Sequence, residues 1–599
     1  LRPEIKDDDL LKHRGSFSAV KKFASEKCFL RDWTSLQSVE MLDKIRRWIT
    51  SHPNWTLTLV TLAVLAPFLA KPFNIDDPLF IWVAKNIQAH PLNPFGFNVN
   101  WFGTVSPMWL ATENPPVACY YIAFTAAILG WSEVAQHTAF LLPAIAVVLG
   151  THRIGQKFCS RPTLAALATL FTPVFLISSI TVMCDVMMLA FWVWAVVFWM
   201  EGMEKVDFRK LSIAGLLIAL ASLTKYYGVC LIPLLAAYSL IETRRLGRWV
   251  ACLMIPLVAL CSYQWTTHSL YGLAMLSDAV EYAGYARGIT GISGMSTLLT
   301  VLTFTGGCVA VAVFFMPLLW RTQTLAAFGA TAILIAATLY FEGAKLEQYI
   351  SPQATSATFV EIQIIFWAVG GIGVLALALE NVWSGHDSKS WLLALWVFGT
   401  FLFASVFNWT VNGRSILPMI PAVAILVVRR LERNSSAGRK AAKFAAPIAL
   451  AASALLALLV ARADYCFAVA TRQTAVQTFA RFGNEQKNFW FEGHWGFQYY
   501  MESLGFEALD VQRSQIKPGN ILAIPENNTG IAPPKSEAVA KQEKIVVQGS
   551  TYLATMNVQT AAGFYASLRG PLPFAFGKVP PESVLLFYLK TNGPAPPKN

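Results

Sequence analysis

The chain has 599 residues, a hydrophobic share of 55%, only 14% charged residues and a mean hydropathy of +0.48. Soluble domains carry roughly 25% charge, so a water-soluble globular protein is excluded. The net charge of +12 sits in short segments between apolar runs, which suits topology determinants and not a nucleic-acid surface. Long alternating strands of the outer-membrane type are lacking in the sequence, and apolar stretches of helical spanning length recur from Trp55 to Arg462, which predicts a mainly α polytopic membrane protein.

Residues 1–54 read as a cytoplasmic N-terminal segment with no evident cleavable signal peptide. Met41, followed by the basic flank "KIRR", reads as a translation start. The first span is expected from Trp55 to Lys71, with Lys44, Arg46 and Arg47 placing its N-terminus in the cytoplasm. "NIDDPLFIWVAKNI" (74–87) then emerges on the outer side. The apolar stretch Val117 to Trp131 follows Pro115 and Pro116 and is short for a crossing, so it is read as an interfacial or re-entrant helix.

Further spans are expected near 138–151, 163–181, 186–200, 211–224, 226–241, 249–266, 297–319, 324–341, 360–380, 391–407, 415–430 and 445–462, about thirteen in all. With this threading Arg153, Lys157, Arg161, Arg244, Arg245 and Arg429 fall in cytoplasmic loops, and few basic residues fall outside. Residues 55–462 thus form the expected transmembrane catalytic domain. Residues 463–599, with the turn signals "KPGN" and "PENNTG" and the strand-like "NILAIP" and "EKIVVQ", form an expected small α/β extracytoplasmic domain. Nine cysteines are scattered, among them Cys119, Cys230, Cys252, Cys261 and Cys308 inside apolar runs, without a CxxC pair; they read as small core residues.

The threading places Asp76, Asp77, Glu113, Asp185, Lys225 and Arg414 on the outer side, where they could converge on one cavity. Asp followed by Pro also starts helices well. Within the adjacent pair, Asp76 is assigned as base and Asp77 as cap or support. Glu113 offers a second carboxylate, and Asp185 stands in an apolar run without a neighbour in sequence to pair with. Lys225 and Arg414 offer cations for a phosphate, the guanidinium with a bidentate fork. Asn114, next to Glu113, and Tyr226, next to Lys225, complete the substrate-binding candidates. His494, in "FWFEGHWGFQYY", reads as a buried histidine of an aromatic core. Walker A, GxGxxG after a strand, HExxH and GxSxG signatures are absent from the sequence, which disfavours a nucleotide-driven pump.

Five stretches, "IDDPLFIWVAKNI", "ENPPVACYYIA", "SITVMCDVMMLAFW", "LIALASLTKYYG" and "NGRSILPMIPA", taken in this order resemble the GT-C superfamily of polyprenyl-phosphate-dependent glycosyltransferases. The resemblance is particularly to the bacterial aminoarabinose-transferase-like (ArnT-like) and protein O-mannosyltransferase-like members of family 39. It maps the family's acids onto Asp76, Asp77, Glu113 and Asp185, and its "LTK" lysine onto Lys225. Two departures stand out: Asn114 where Lys or His is frequent, and Ser415 where Tyr is common.

The resemblance implies a polyprenyl-phosphate-linked sugar donor entering from the bilayer. It also implies a lipid, glycan or protein acceptor from the outer side, and one inverting displacement. It implies a bacterial inner membrane with the site facing the periplasm. It leaves a divalent cation open, since some relatives hold one between carboxylates; metal ligands are not assigned and nucleic acid is not expected. The rival class is a secondary transporter or lipid flippase with buried carboxylates, which predicts inverted repeats and acids at mid-span; the sequence shows neither.

Overall fold

The computed structural model describes residues 47–48, 51–112, 114–290, 294–341, 356–436, 441–485 and 488–591. Every stretch read as a span is helical. By length and composition, eight helices among the described residues can cross a membrane, or up to ten if two bent pairs each count as one span. This count is lower than the thirteen or so expected, for local reasons.

Pro162–Leu170 and Pro173–Ser179 meet at 66°, because Pro173 has no N–H to donate and its ring disfavours helix at Thr172. Gly294–Cys308 and Ala310–Leu319 meet at 80° just after Gly306 and Gly307. Phe208–Thr224 has 17 residues, about 26 Å of helix. Ile420–Ser436 carries Arg429, Arg430 and Arg433 in its second half. Pro53–Leu65, in the stretch expected to be the first span, has 13 residues, about 20 Å of helix and short for a crossing; Val117–Leu129, which is not counted among the thirteen, has 13 as well.

Close packing in the bundle depends on small residues. Gly306 lies against the carbonyl of Trp367 and Gly371 against that of Leu302, so a side chain at either position would collide with backbone. The helices Gly294–Cys308 and Ala357–Gly385 therefore approach at a glycine seam, a contact suited to a lipid environment where apolar burial alone does not join helices.

After Lys71 the chain enters a structured loop: the helix Asp77–Ala89, a short hairpin pairing Asn98–Asn100 with Val105–Pro107, and the turn Met108–Ala111. At the other end, the 42-residue helix Ala441–Phe482 runs through residue 462 without a break and leads into the strand-containing domain. There β1 (Phe489–Phe491), β2 (Glu507–Ala508), β3 (Ile521–Pro525), β4 (Val539–Val547) and β5 (Glu582–Leu589) form one sheet in the order β2, β1, β3, β5, β4. β1 runs parallel to β2 and β3, and β5 runs antiparallel to β3 and β4. "NILAIP" and "EKIVVQ" supply β3 and part of β4 as expected, and "KPGN" turns at Gly519 with φ 84°. Phe489, Phe491, Phe497, Met501 and Leu586 form the domain's core.

The domain is tied to the loop after the first span. Phe73 donates its N–H to the Tyr500 hydroxyl at 2.9 Å, and Gly496 donates to Asn74 Oδ1 at 3.3 Å.

Candidate active site

Four ionisable side chains from four separate stretches form one line of charge. Arg414 Nη1 lies 2.9 Å from Asp76 Oδ2 and 4.0 Å from Asp185 Oδ2, and Asp185 Oδ1 accepts from Lys225 Nζ at 2.5 Å. Signs alternate along it, which offsets the cost of holding charges out of water. The Asp185 side chain is 1% exposed, whereas Arg414, Lys225 and Asp76 keep 16%, 21% and 27%, so the line opens to cavities at its ends.

Local structure explains each placement. Asp185 stands in the first turn of Cys184–Lys205, where a carboxylate complements the helix dipole. Lys225 is extended, φ −151° and ψ 131°, in the break between Phe208–Thr224 and the 3-10 turn Tyr226–Cys230. Arg414 sits in the one-turn helix Gly413–Ile416, capped by Asn412, whose side-chain oxygen accepts from Ser415 N at 2.8 Å. The C-terminal domain grips that turn: Gly413 donates its N–H to Phe564 O at 2.7 Å, Ser567 donates to Val411 O at 2.8 Å, and the guanidinium lies 5.8 Å from the Tyr565 ring.

Asp76 and Asp77 have separate environments. Asp76 begins the helix without a side-chain cap bond and faces a cavity. Asp77 is fully buried, and accepts from Asn74 N at 3.0 Å and from Val182 N at 2.8 Å. Burial pushes its carboxyl up to about 7 against the opposing influence of Lys71 and the two N–H donors. Asp77 thus pins the turn before Cys184–Lys205 to the first loop.

Two chambers meet at Asn114, Tyr282, Trp409 and Arg414. One, of about 450 Å³, holds Lys225 and Tyr226 among apolar side chains such as Leu276, Val280 and Phe403. The π-helical turn Phe403–Phe407 forms part of its wall. The other, of about 370 Å³, holds Asp76 and is walled by Trp101, Phe102 and Trp495, with His494 and Arg569 from the C-terminal domain. Of the site residues expected from sequence, Asp76, Asp185, Lys225, Arg414, Asn114 and Tyr226 come together here, while Asp77 stands behind them. Glu113 lies outside the described residues. Among the described residues, groups of three or more His, Cys, Asp or Glu suited to a metal ion are not found.

Sequence reasoning missed the support beneath Arg414. Lys71 and Asp464, both buried, pair at 2.5 Å; Asp464 also accepts from the Tyr565 hydroxyl at 3.0 Å and from Thr555 Oγ1 at 2.9 Å. The signal was partial: Lys71, just past the first apolar helix, and Asp464, inside the long helix Ala441–Phe482, each need a partner, but the sequence does not say which. His494 is buried as expected, but it lines the chamber of Asp76 as well as touching aromatic neighbours.

Fold and site together define a multi-pass helical membrane protein with an internal charged centre between two chambers. Residues 113–265 match the family described as dolichyl-phosphate-mannose-protein mannosyltransferase. The segment contains Asn114, Asp185, Lys225 and Tyr226, and the match is in keeping with the GT-C, family-39-like resemblance of the sequence motifs. Among solved structures, the chain is similar to the Archaeoglobus fulgidus oligosaccharyltransferase tethered with an acceptor peptide, with 12% identity and TM-score 0.45, over 77% of this chain and 64% of that one. It is also similar to ArnT from Cupriavidus metallidurans bound to undecaprenyl phosphate (12%, TM-score 0.44, 79% and 92%) and to the arabinofuranosyltransferase AftD from Mycobacteria (13%, 0.38, 91% and 40%). The chain thus spans less than two thirds of the length of the archaeal enzyme. Among curated proteins none matches.

Proposed function

We propose that this protein is a membrane glycosyltransferase that moves a sugar from a polyprenyl-phosphate donor to an acceptor on the outer, periplasmic side of a bacterial inner membrane. The observation that carries the reading is the charged line Asp76, Arg414, Asp185, Lys225 running between an apolar and an aromatic chamber. A lipid-linked phosphate needs cations beside an apolar surface, and the apolar chamber combines Lys225 and Arg414 with one. An acceptor needs a base on the opposite side, and Asp76 stands in the other chamber.

In this mechanism the phosphate is drawn to Lys225 and Arg414, which stabilise the charge that builds on it as it leaves. A phosphate against Arg414 competes with Asp76 for the guanidinium and loosens the carboxylate. Asp76 takes the proton of the acceptor hydroxyl or amine while that atom bonds to the sugar C1. The C1–oxygen bond to phosphate breaks and its electron pair departs with the phosphate, so one displacement inverts the anomeric centre. Asp185 holds Lys225 and Arg414 at their spacing. The test is transfer of labelled sugar from undecaprenyl-phosphate-linked donors to membrane extract by the purified protein, with the Asp76→Asn variant as its critical comparison.

A further inference from the structure

A cleft apart from the charged line lies between the first outer loop and the C-terminal domain, and its volume of about 790 Å³ falls within the range of small-molecule sites. The loop contributes Trp82, from the helix Asp77–Ala89, and Asn98, from the short hairpin; the domain contributes Trp490 of β1, Glu507 of β2 and Gln515. Hydrogen bonds fix the two walls against each other. Asn100 Nδ2 donates to Leu509 O at 2.9 Å, Gln498 Nε2 to Asn100 O at 2.7 Å, Val511 N to Gly103 O at 2.9 Å, and Val105 N to Asp510 Oδ2 at 3.2 Å. Asp510 also accepts from the N–H groups of Gln512 at 2.9 Å and Arg513 at 3.1 Å. The cleft is therefore preorganised, which lowers the ordering cost of binding.

The groups that line it are accessible: Asn98, Glu502, Glu507 and Gln515 are exposed, and Trp82 and Trp490 are half-buried. Trp490 packs on one side against Leu509, Leu522, Ile524 and Phe587, and Trp82 meets the Trp101 ring edge-on, with centroids 6.1 Å apart and planes at 82°. Trp490 and Glu507 are paired in register on β1 and β2, so the carboxylate stands beside the indole on one face of the sheet. A sugar ring presents C–H groups on its faces and hydroxyls at its rim. Indole faces suit the first; the amides of Asn98 and Gln515, which both donate and accept, and the carboxylates, which accept, suit the second. Charge narrows the class, because Glu502, Glu507 and Asp510 outnumber Arg513 in the lining, which disfavours phosphate, sulfate and uronate groups.

Asn100 lines this cleft, and the next residue, Trp101, lines the chamber of Asp76, so the Trp82 and Trp101 rings stand between the two spaces. We propose that the cleft binds an uncharged or amino-bearing saccharide and tethers a polymeric glycan acceptor beside the chamber of Asp76. The tether rests on the transferase reading above; the saccharide site itself does not. Tethering raises the concentration of the acceptor's free end at the chamber without any new contact there. The cleft residues are binding residues, and Asp76 remains the base.

The test is isothermal titration calorimetry of the full-length protein in nanodiscs with tetrasaccharides of glucose, N-acetylglucosamine, glucosamine and galacturonic acid, and with tetralysine. The unaltered protein is expected to bind at least one of the first three saturably, and the galacturonate at least about tenfold more weakly. The double variant Glu507→Ala with Gln515→Ala removes two exposed side chains and leaves the core intact. It is expected to keep its unfolding temperature and to bind the same saccharide at least about fivefold more weakly. In transfer assays its KM for an oligosaccharide acceptor should rise by a similar factor relative to its KM for a monosaccharide acceptor. Equal saccharide affinity in the double variant and the unaltered protein would overturn the proposal, as would failure of the unaltered protein to bind any saccharide, or binding of tetralysine alone. Saccharide binding without sugar transfer would instead remove the transferase reading and leave the saccharide site standing.

Discussion

Asp76 and Asp77 share a peptide bond and serve different partners: Asp76 Oδ2 pairs with Arg414 Nη1 at 2.9 Å across a cavity wall, and Asp77 Oδ1 accepts from Val182 N at 2.8 Å in a closed interior. Replacing Asp77 with Ala leaves the N–H groups of Asn74 and Val182 unsatisfied. Each buried orphan costs about 1–3 kcal/mol, so the expected outcome is a lower unfolding temperature and lower yield. Asp76→Ala removes a part-exposed pair and is expected to change stability by less than about 1 kcal/mol. Thermal unfolding in one detergent distinguishes the two; equal losses would contradict the division of roles.

Lys225→Met leaves Asp185, 1% exposed, with Arg414 at 4.0 Å as its remaining counter-charge. Breaking a buried pair from one side costs about 3–5 kcal/mol, and the phosphate cation is lost with it. The double variant Lys225→Met with Asp185→Asn is expected to regain much of the stability while undecaprenyl phosphate still binds at least about tenfold more weakly. Recovery of phosphate binding in the double variant would show that Lys225 is structural.

Lys71 and Asp464 are expected to act on Arg414 through Tyr565. Tyr565→Phe removes the hydroxyl bond to Asp464 but keeps the ring beneath the guanidinium, so its effect on transfer should be small, within about threefold. Lys71→Met leaves Asp464 buried without its cation, and the expected loss is about 3–5 kcal/mol of stability. Unfolding temperature and residual transfer, measured on both variants, check this order.

His494 titrates at about 4 in the folded chain and near 6.5 when unfolded. Between those values the unfolded chain binds the extra proton, so stability falls as pH drops from about 6.5 toward 4, by up to ~1.4 kcal/mol per pH unit from this group. Asp76, Arg414, Arg569 and Tyr565 line the same chamber and are unchanged in His494→Gln. That variant is therefore expected to lose less on going from pH 7 to pH 4.5 than the unaltered protein; equal losses would contradict a neutral buried His494.

Most of the spans and the gathering of several charged side chains were legible because lipid imposes simple demands: long apolar helices, basic residues on one side and few stranded charges. Asp76, Asp185, Lys225 and Arg414 stood out as charges near apolar ends, and threading by charge placed them on one side. Bends at Pro173 and after Gly307 were not read, because hydropathy runs through them undisturbed. Pairing between Lys71 and Asp464, 393 residues apart, depends on tertiary packing that no local pattern reports. The position of His494 was hidden for a related reason. An aromatic core and an aromatic chamber wall look alike in "GHWGF", and only the fold shows that Nε2 is the nitrogen without a partner among the described residues.

The central claim is that Asp76 takes the acceptor proton, and the direct measurement is the single-turnover rate of sugar transfer from an undecaprenyl-phosphate-linked donor by Asp76→Asn. Undecaprenyl phosphate binding is measured on the same sample. The account predicts a rate lowered about 10²- to 10⁴-fold with lipid phosphate still bound; an unchanged rate in the folded variant would contradict it.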